Sequence, residues 1–424
     1  MALDKINAPS AIARCGQALA QHPNNPRVMF NLGRANERAG RLDEAARLYK
    51  LAADQGYAPA QVDLGASYAG GSRGLAKDER EAVRLFKLAA DQGYAPAQFT
   101  LGVSYSEGRG GLAKDEREAV RLFKLASDQG FPRAHAILAL LYQNGAGGLS
   151  KDEREAARLY KLAADQGYAV AQNNLGSFYR DGAGGLVKDE REAARLYKLA
   201  ADQGVAAAQN NLGNFYKEGR GELAKDDREA ARLYKLAADQ GMPDAQNSLG
   251  VFYELGRGGL AKDEREAARF YKLAAEQGDP DAQTSLGVFY EHGRGGLAKD
   301  DWEAARLYKL AAVHGMPAAR FNLGVSYELG RGGLAKDERK AALLYKLAAD
   351  QGMREAQYNL GSFYEDGAGG LAKDEREAAR PLQARRRSGD ARGGVQPRRL
   401  LREWARRAGE GRPGSRSLLQ ARRR

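Results

Sequence analysis

The chain is poor in the residues that build most catalytic and metal sites. Its 424 residues include one cysteine, four histidines and two tryptophans. A single thiol, Cys15, excludes an internal disulfide framework and cannot supply the paired cysteines of a zinc site. His22, His135, His292 and His314 fall in unrelated registers, with no cysteine or paired carboxylate set beside them. No run reaches the ~18–20 apolar residues of a membrane span. Asp4, Lys5 and Arg14 interrupt the first residues before any signal-peptide core can form. The expectation is a non-enzymatic protein of the cytoplasm, without cofactor, metal, membrane or small-molecule substrate. Leaderless secretion is the alternative.

What the chain does have is a period. Leu64, Leu101, Leu138, Leu175, Leu212, Leu249, Leu286, Leu323 and Leu360 recur 37 residues apart, each followed by Gly except at Ala139. A fixed period of this size marks stacked supersecondary units rather than one globular core. In the unit 95–131, Pro96 suits a first helical turn, and Ala97, Leu101 and Tyr105 fall on one helix stripe. Gly102 leaves a notch beside that stripe, and Gly108, Gly110 and Gly111 end the helix and shape a loop. Asp115 and Glu118 have capping-box spacing at the start of a second helix. Ala119, Leu122, Phe123 and Ala126 give that helix one apolar face, and Gly130 closes it. Each unit is a helical hairpin with one apolar side that only a neighbour can bury. The fold class is all-α, an α/α solenoid.

These residues carry a family likeness. Ala-x-x-Gln, Leu-Gly-x-x-Tyr, Gly-x-Gly-Gly, Lys-Asp-x-x-x-Ala and a closing Ala-Ala-x-x-Gly resemble the Sel-1-like repeat, a relative of the tetratricopeptide repeat. The likeness covers roughly residues 25–380. Gly111-Leu112 stands where the family usually has Gly-Val. The resemblance implies a right-handed superhelix of hairpins and adaptor roles in signalling, complex assembly or quality control, in bacteria sometimes in host interaction.

Boundaries follow from the period. Residues 1–25 are a leader containing the second helix of a preceding hairpin. Residues 26–57 form a shortened, tetratricopeptide-like capping repeat, because Leu32 to Ala45 lacks the glycine loop and is five residues shorter than Leu64 to Ala82. Eight full repeats occupy 58–353 and a truncated ninth 354–380. Residues 381–424 hold fourteen Arg against three acidic residues, a net +11 of the chain's +12. This stretch keeps the period in other letters, with Leu382-Gln-Ala-Arg-Arg-Arg returning from Leu419. Leu-Tyr-Lys-Leu-Ala-Ala-Asp-Gln-Gly in GC-rich codons, read one base out of frame, gives the sequence Pro381–Gly389. The tail therefore reads as a disordered, frameshifted continuation of the repeats, and the codon fit suggests a bacterial source. Coding DNA that fails to restore repeats after codon 380 would refute this.

For binding, the residue before each repeat Leu and the one four later share a helix face. That face offers Asn174 with Phe178, Asn211 with Phe215, Ser248 with Phe252, Ser285 with Phe289, Asn322, and Asn359 with Phe363. An amide or hydroxyl beside a ring suits an extended peptide, and Asn174 and Asn211 stand in the register of the peptide-gripping Asn that the tetratricopeptide resemblance implies. Arg109, Arg220, Arg257, Arg294 and Arg331 recur in the loops as a candidate basic ridge. The loop Gly108–Lys114 lacks the order of a phosphate-binding loop and follows a helix. The favoured function is a protein–protein interaction scaffold that binds a peptide or protein in the concave groove. The alternatives are a regulatory fragment of a larger protein, and a nucleic-acid binder resting on the tail alone.

Overall fold

The computed structural model describes residues 7–378, and among these it contains twenty complete helices, the first turn of a twenty-first at 375–378, and no strand. Helix α1 (Ala8–Gln21) leads into a short hairpin, α2 (Pro26–Arg38) and α3 (Leu42–Asp54). In the repeats the first helices are α4 (Ala58–Gly70), α6 (Ala95–Glu107), α8 (Pro132–Asn144), α10 (Ala169–Asp181) and α12 (Ala206–Glu218). They continue as α14 (Pro243–Leu255), α16 (Pro280–His292), α18 (Pro317–Leu329) and α20 (Arg354–Asp366). The second helices are α5 (Glu79–Asp91), α7 (Glu116–Asp128), α9 (Glu153–Asp165) and α11 (Glu190–Asp202). They continue as α13 (Asp227–Asp239), α15 (Glu264–Glu276), α17 (Asp301–Val313) and α19 (Glu338–Ala349). The expected tail, 381–424, lies outside the described residues.

The described residues divide into two compact units, one of 7–208 with 220–223, the other of 209–219 with 224–378. Within each, a first helix packs on the second helix of its own hairpin and on that of the hairpin before. Each unit is thus a stretch of α/α solenoid. The notch at Gly102 is real, since a Cβ there would sit 2.7 Å from the Phe123 ring. The loop glycines do more than turn the chain. Gly110 has φ +61 and lies so close to the Glu79 carbonyl of the previous repeat that a Cβ would clash. The loop therefore brackets neighbouring hairpins.

The capping box is only half formed. Asp115 Oδ1 accepts the amides of Arg117 and Glu118 at 3.0 and 2.9 Å. Glu118 does not close the box by reaching back. Its carboxylate takes a two-point hydrogen bond from Arg121 at 2.8 and 2.7 Å, while the Asp115 N–H donates to the Tyr105 carbonyl. That last bond ties the second helix to the first. Amide pairs link the hairpins further. Gln61 donates to the Ala53 carbonyl of the preceding hairpin and accepts from Gln92, and Gln246 does the same with Ala238 and Gln277. Where the third repeat replaces this Gln with His135, Ser127 replaces an alanine and meets the imidazole Nδ1 at 2.7 Å.

Candidate protein-binding faces

Seven second-helix tyrosines, from Tyr49 to Tyr345, have rings buried almost completely, so each phenol hydroxyl must find a partner inside. One partner comes from the first helix of the same hairpin. Tyr271 donates to Glu254 at 2.7 Å, Tyr308 to Glu291 at 2.8 Å, Tyr345 to Glu328 at 2.5 Å, and Tyr160 to Gln143 at 3.1 Å. Where a cation, Arg180 or Lys217, occupies that seat, the hydroxyl turns to Ser177 or Asn214 instead. Burial and the adjacent carboxylate push the Tyr271 and Tyr308 hydroxyls well above their usual range. Burial likewise raises the Glu328 carboxyl.

The polar half of the expected groove sits beside this same hydroxyl. Asn174 lies near the Tyr160 hydroxyl, Ser248 near Tyr234, Ser285 near Tyr271 and Asn359 near Tyr345, while the hydrogen bonds of those hydroxyls go to Gln143, Asn214, Glu254 and Glu328. Asn211 and Asn322 are half-buried, and the Nδ2 of Asn322 is buried without a hydrogen-bond partner. The aromatic half does not line an open groove. Phe178, Phe215, Phe252, Phe289 and Phe363 are all at most 7% exposed. Four of them meet the preceding tyrosine edge-on, with Phe252 on Tyr234 and Phe289 on Tyr271 both at 5.3 Å between centroids. Such pairs add about 0.5–1.5 kcal/mol to the burial itself. The rings are core, because the previous hairpin covers the edge of the helix on which they sit.

The basic ridge also needs correcting. Arg220, Arg257 and Arg294 are drawn in by the acid thirty residues earlier, Glu190 at 2.8 Å, Asp227 at 2.9 Å and Glu264 at 2.8 Å. The Arg220 hydrogen bond, with Lys188 beside it, holds the Glu190 carboxyl down to about 2. Arg257 and Arg294 also lie over Phe252 and Phe289, at 5.1 and 4.4 Å. Arg109 and Arg331 remain exposed, and Arg109 pairs with Glu107 in its own loop. The cause is local: Ser104 and Ser326 stand where Phe252 and Phe289 give the other arginines a ring to cover.

The first helices do keep one half-buried stripe, formed by the residue before each Leu and the one two after it, whose valines pack partly on the core. In the second unit it includes Asn211, Asn214, Ser248, Val251, Ser285, Val288, Asn322 and Val325, all half-buried. Next to it lie Asn210 and Asn247, whose buried Oδ1 atoms lack a partner. The sequence reading missed these two. Their signal was an amide where other repeats carry Val62, Phe99 or Ala136. Among the described residues no cluster of three or more His, Cys, Asp or Glu is placed to hold a metal, and no helix is long and apolar enough to cross a membrane.

Stacked helical hairpins with variable letters on one half-buried stripe define an α/α repeat protein. Sel1 repeat models match residues 58–94, 95–131, 132–168, 169–205, 206–242, 243–279, 280–315, 317–353 and 354–380, and a tetratricopeptide repeat model matches residues 2–66. The chain belongs to the Sel1 repeat family. Its structure is similar to that of c5321, a protective antigen of uropathogenic Escherichia coli strains with an SLR fold. The TM-score is 0.57 at 30% identity, over 88% of this chain and 86% of that one. It is also similar to a Sel1 repeat protein from Oxalobacter formigenes, with TM-score 0.51 and 32% identity over 59% of this chain and 96% of that one. No curated protein sequence matches the chain. Proteins of this family generally mediate protein–protein interaction, and their solenoids are typically non-catalytic scaffolds.

Proposed function

We propose that this protein is a non-enzymatic scaffold that holds a peptide or protein partner along the half-buried first-helix stripe of its second unit. The observation that carries this reading is the contrast between helices. Second helices repeat nearly the same letters, Glu-Arg-Glu-Ala-Ala-Arg-Leu-Tyr-Lys-Leu-Ala-Ala, whereas the stripe varies more, between Asn and Ser at 211, 248, 285 and 322 and between Asn and Val at 214, 251, 288 and 325. A constant frame with variable positions on one face is how repeat proteins present a binding surface. The partnerless Nδ2 of Asn322 supports it, since a buried donor left unmet costs about 1–3 kcal/mol and a partner's carbonyl would recover that. The single cysteine, outside any disulfide, is in keeping with work in the reducing cytoplasm.

The test compares the full chain with Asn322→Arg/Val325→Arg as baits in lysate of the source cells, after circular dichroism shows equal helicity. A partner held by the first and lost by the second is the expected result. The same partners on both baits would remove the stripe from the account.

A further inference from the structure

Repetition supplies an internal control for every surface position. The second residue of a second helix is Arg in α5, α7, α9, α11, α13, α15 and α19 but Trp302 in α17. The last residue of α17 is Val313, where other repeats carry Asp or Glu, as at Asp239 and Glu276. In α19, Leu343 stands where every other repeat has the Arg of Arg269 and Arg306. Three charged positions on neighbouring second helices have thus become apolar, and all three face solvent. Trp302 is 61% exposed, Val313 84% and Leu343 58%. No packing requirement of the fold calls for them, because the charged versions fold in the other repeats.

The three belong to one surface. Trp302 and Val313 are eleven residues apart on the outer side of α17, three helical turns along a single stripe. Leu344, beside Leu343, packs against the cluster of Ala304, Tyr308 and Leu323, so α19 follows α17 in the stack with α18 packed on both. The Trp302 ring lies against Gly333, so it borders the loop that carries Arg331. That arginine has been let go. Arg220, Arg257 and Arg294 bind the acid thirty residues back, but Arg331 is exposed, and the buried Oδ1 of Asp301 has no hydrogen bond and only Lys299 near it, at 3.6 Å. The surroundings are cationic. Over residues 301–350 Lys and Arg outnumber Asp and Glu eight to six, against eight to nine over the equivalent residues 227–276, although Arg306, Lys336 and Lys340 already pair with Glu303, Glu338 and Asp337.

We propose that the outer face of α17 and α19, with the Arg331 loop, is a docking surface for an acidic, amphipathic segment of a partner protein. Trp302 and Leu343 are the apolar anchors, and Arg331 with the surrounding lysines reads carboxylates. Tryptophan and arginine are the residue types that dominate binding energy at interfaces. The charge selects the occupant: a second copy would set cation against cation, whereas an acidic segment is complementary. This face is separate from the first-helix stripe, so either reading stands or falls alone.

The test uses the full chain and a variant, Trp302→Arg/Val313→Asp/Leu343→Arg, that restores what the other repeats carry. Trp302→Arg alone is the second variant, and matched circular dichroism melts establish that all three fold. A phage library of random short peptides is selected on the full chain and counter-selected on the triple variant. The expected peptides are rich in Asp and Glu around Trp, Phe or Leu. They should bind the variants at least about tenfold more weakly, roughly 1.4 kcal/mol. They should also weaken as salt rises from ~50 to ~300 mM. Recovery of no peptides, or of peptides indifferent to the variants or lacking acidic residues, overturns the proposal. So does sedimentation showing that the full chain dimerises through this face while the variant stays monomeric.

Discussion

Two sets of repeats solve the same packing problem differently. In the first unit, α5 and α7 bury Phe86 and Phe123, and the position seventeen residues earlier is Ala69 or Ser106. In the second unit, α15, α17 and α19 bury Tyr271, Tyr308 and Tyr345, and the same position is Glu254, Glu291 or Glu328. The ring fills the glycine notch in both sets, so burial of apolar area is shared. What differs is one hydroxyl, which obliges the neighbouring helix to bring an acceptor. In one of the three the acceptor also holds a cation: Glu254, 3% exposed, pairs with Arg294 at 2.9 Å. One atom on a ring thus organises four side chains across two hairpins.

Breaking the ring that covers the loop arginine has the largest expected effect. Phe289→Ser, which copies Ser326, should cost about 3–4 kcal/mol through the cavity left beside Tyr271. It should also free Arg294 in the manner of Arg331. Urea unfolding measures the first and guanidinium NMR the second. Glu254→Ala comes next, at about 3 kcal/mol, because it leaves a buried hydroxyl and guanidinium short of an acceptor. The same change exists naturally at Ala69 without harm, where the ring is Phe86.

The reverse experiment sharpens the comparison. Ser326→Phe should draw Arg331 over the new ring and onto Asp301, stabilising the chain by about 1 kcal/mol. A thermal melt reports the gain. The smallest effect concerns Asp279, which replaces the apolar residue found at this position in neighbouring repeats, as at Met242 and Met316. Burial first, and Asp244 and Asp281 nearby, push its carboxyl up to about 6. A carboxyl raised in the folded state binds its proton more tightly there than in the unfolded chain. Stability is therefore fully present below pH ~4 and declines as pH rises through ~4–6. Asp279→Asn keeps an acceptor for the Ala282 amide and should remove that decline. After discounting for its partial exposure, the gain is ~1 kcal/mol at pH 7 and none at pH 4. Denaturant titrations at the two pH values check it.

The hairpins were legible in the sequence because their signals are local. Leu-Gly, the loop glycines and the Asp cap each act within a turn or two of themselves. The fate of Phe289 was not, since the helix carrying it presents that edge equally well to a groove or to a neighbour. Tyr271, eighteen residues earlier and on another helix, decides between them. Arg294 and Arg331 read alike for the same reason, until the ring or serine five residues before each is considered. Asn322 keeps its place on the half-buried stripe, whereas Asn174 and Asn359 lie near the Tyr160 and Tyr345 hydroxyls, inside the hairpin contacts.

The central claim is that the buried hydroxyl and the acid in the facing seat are energetically coupled where both are present, as at Tyr271 and Glu254. The most direct measurement is a double-mutant cycle of Tyr271→Phe and Glu254→Ala by urea unfolding, since the double variant recreates the Phe86 and Ala69 pair inside the second unit. The account predicts a coupling energy of about 1–2 kcal/mol, with the double variant recovering part of what Glu254→Ala alone loses. Losses that simply add would contradict it.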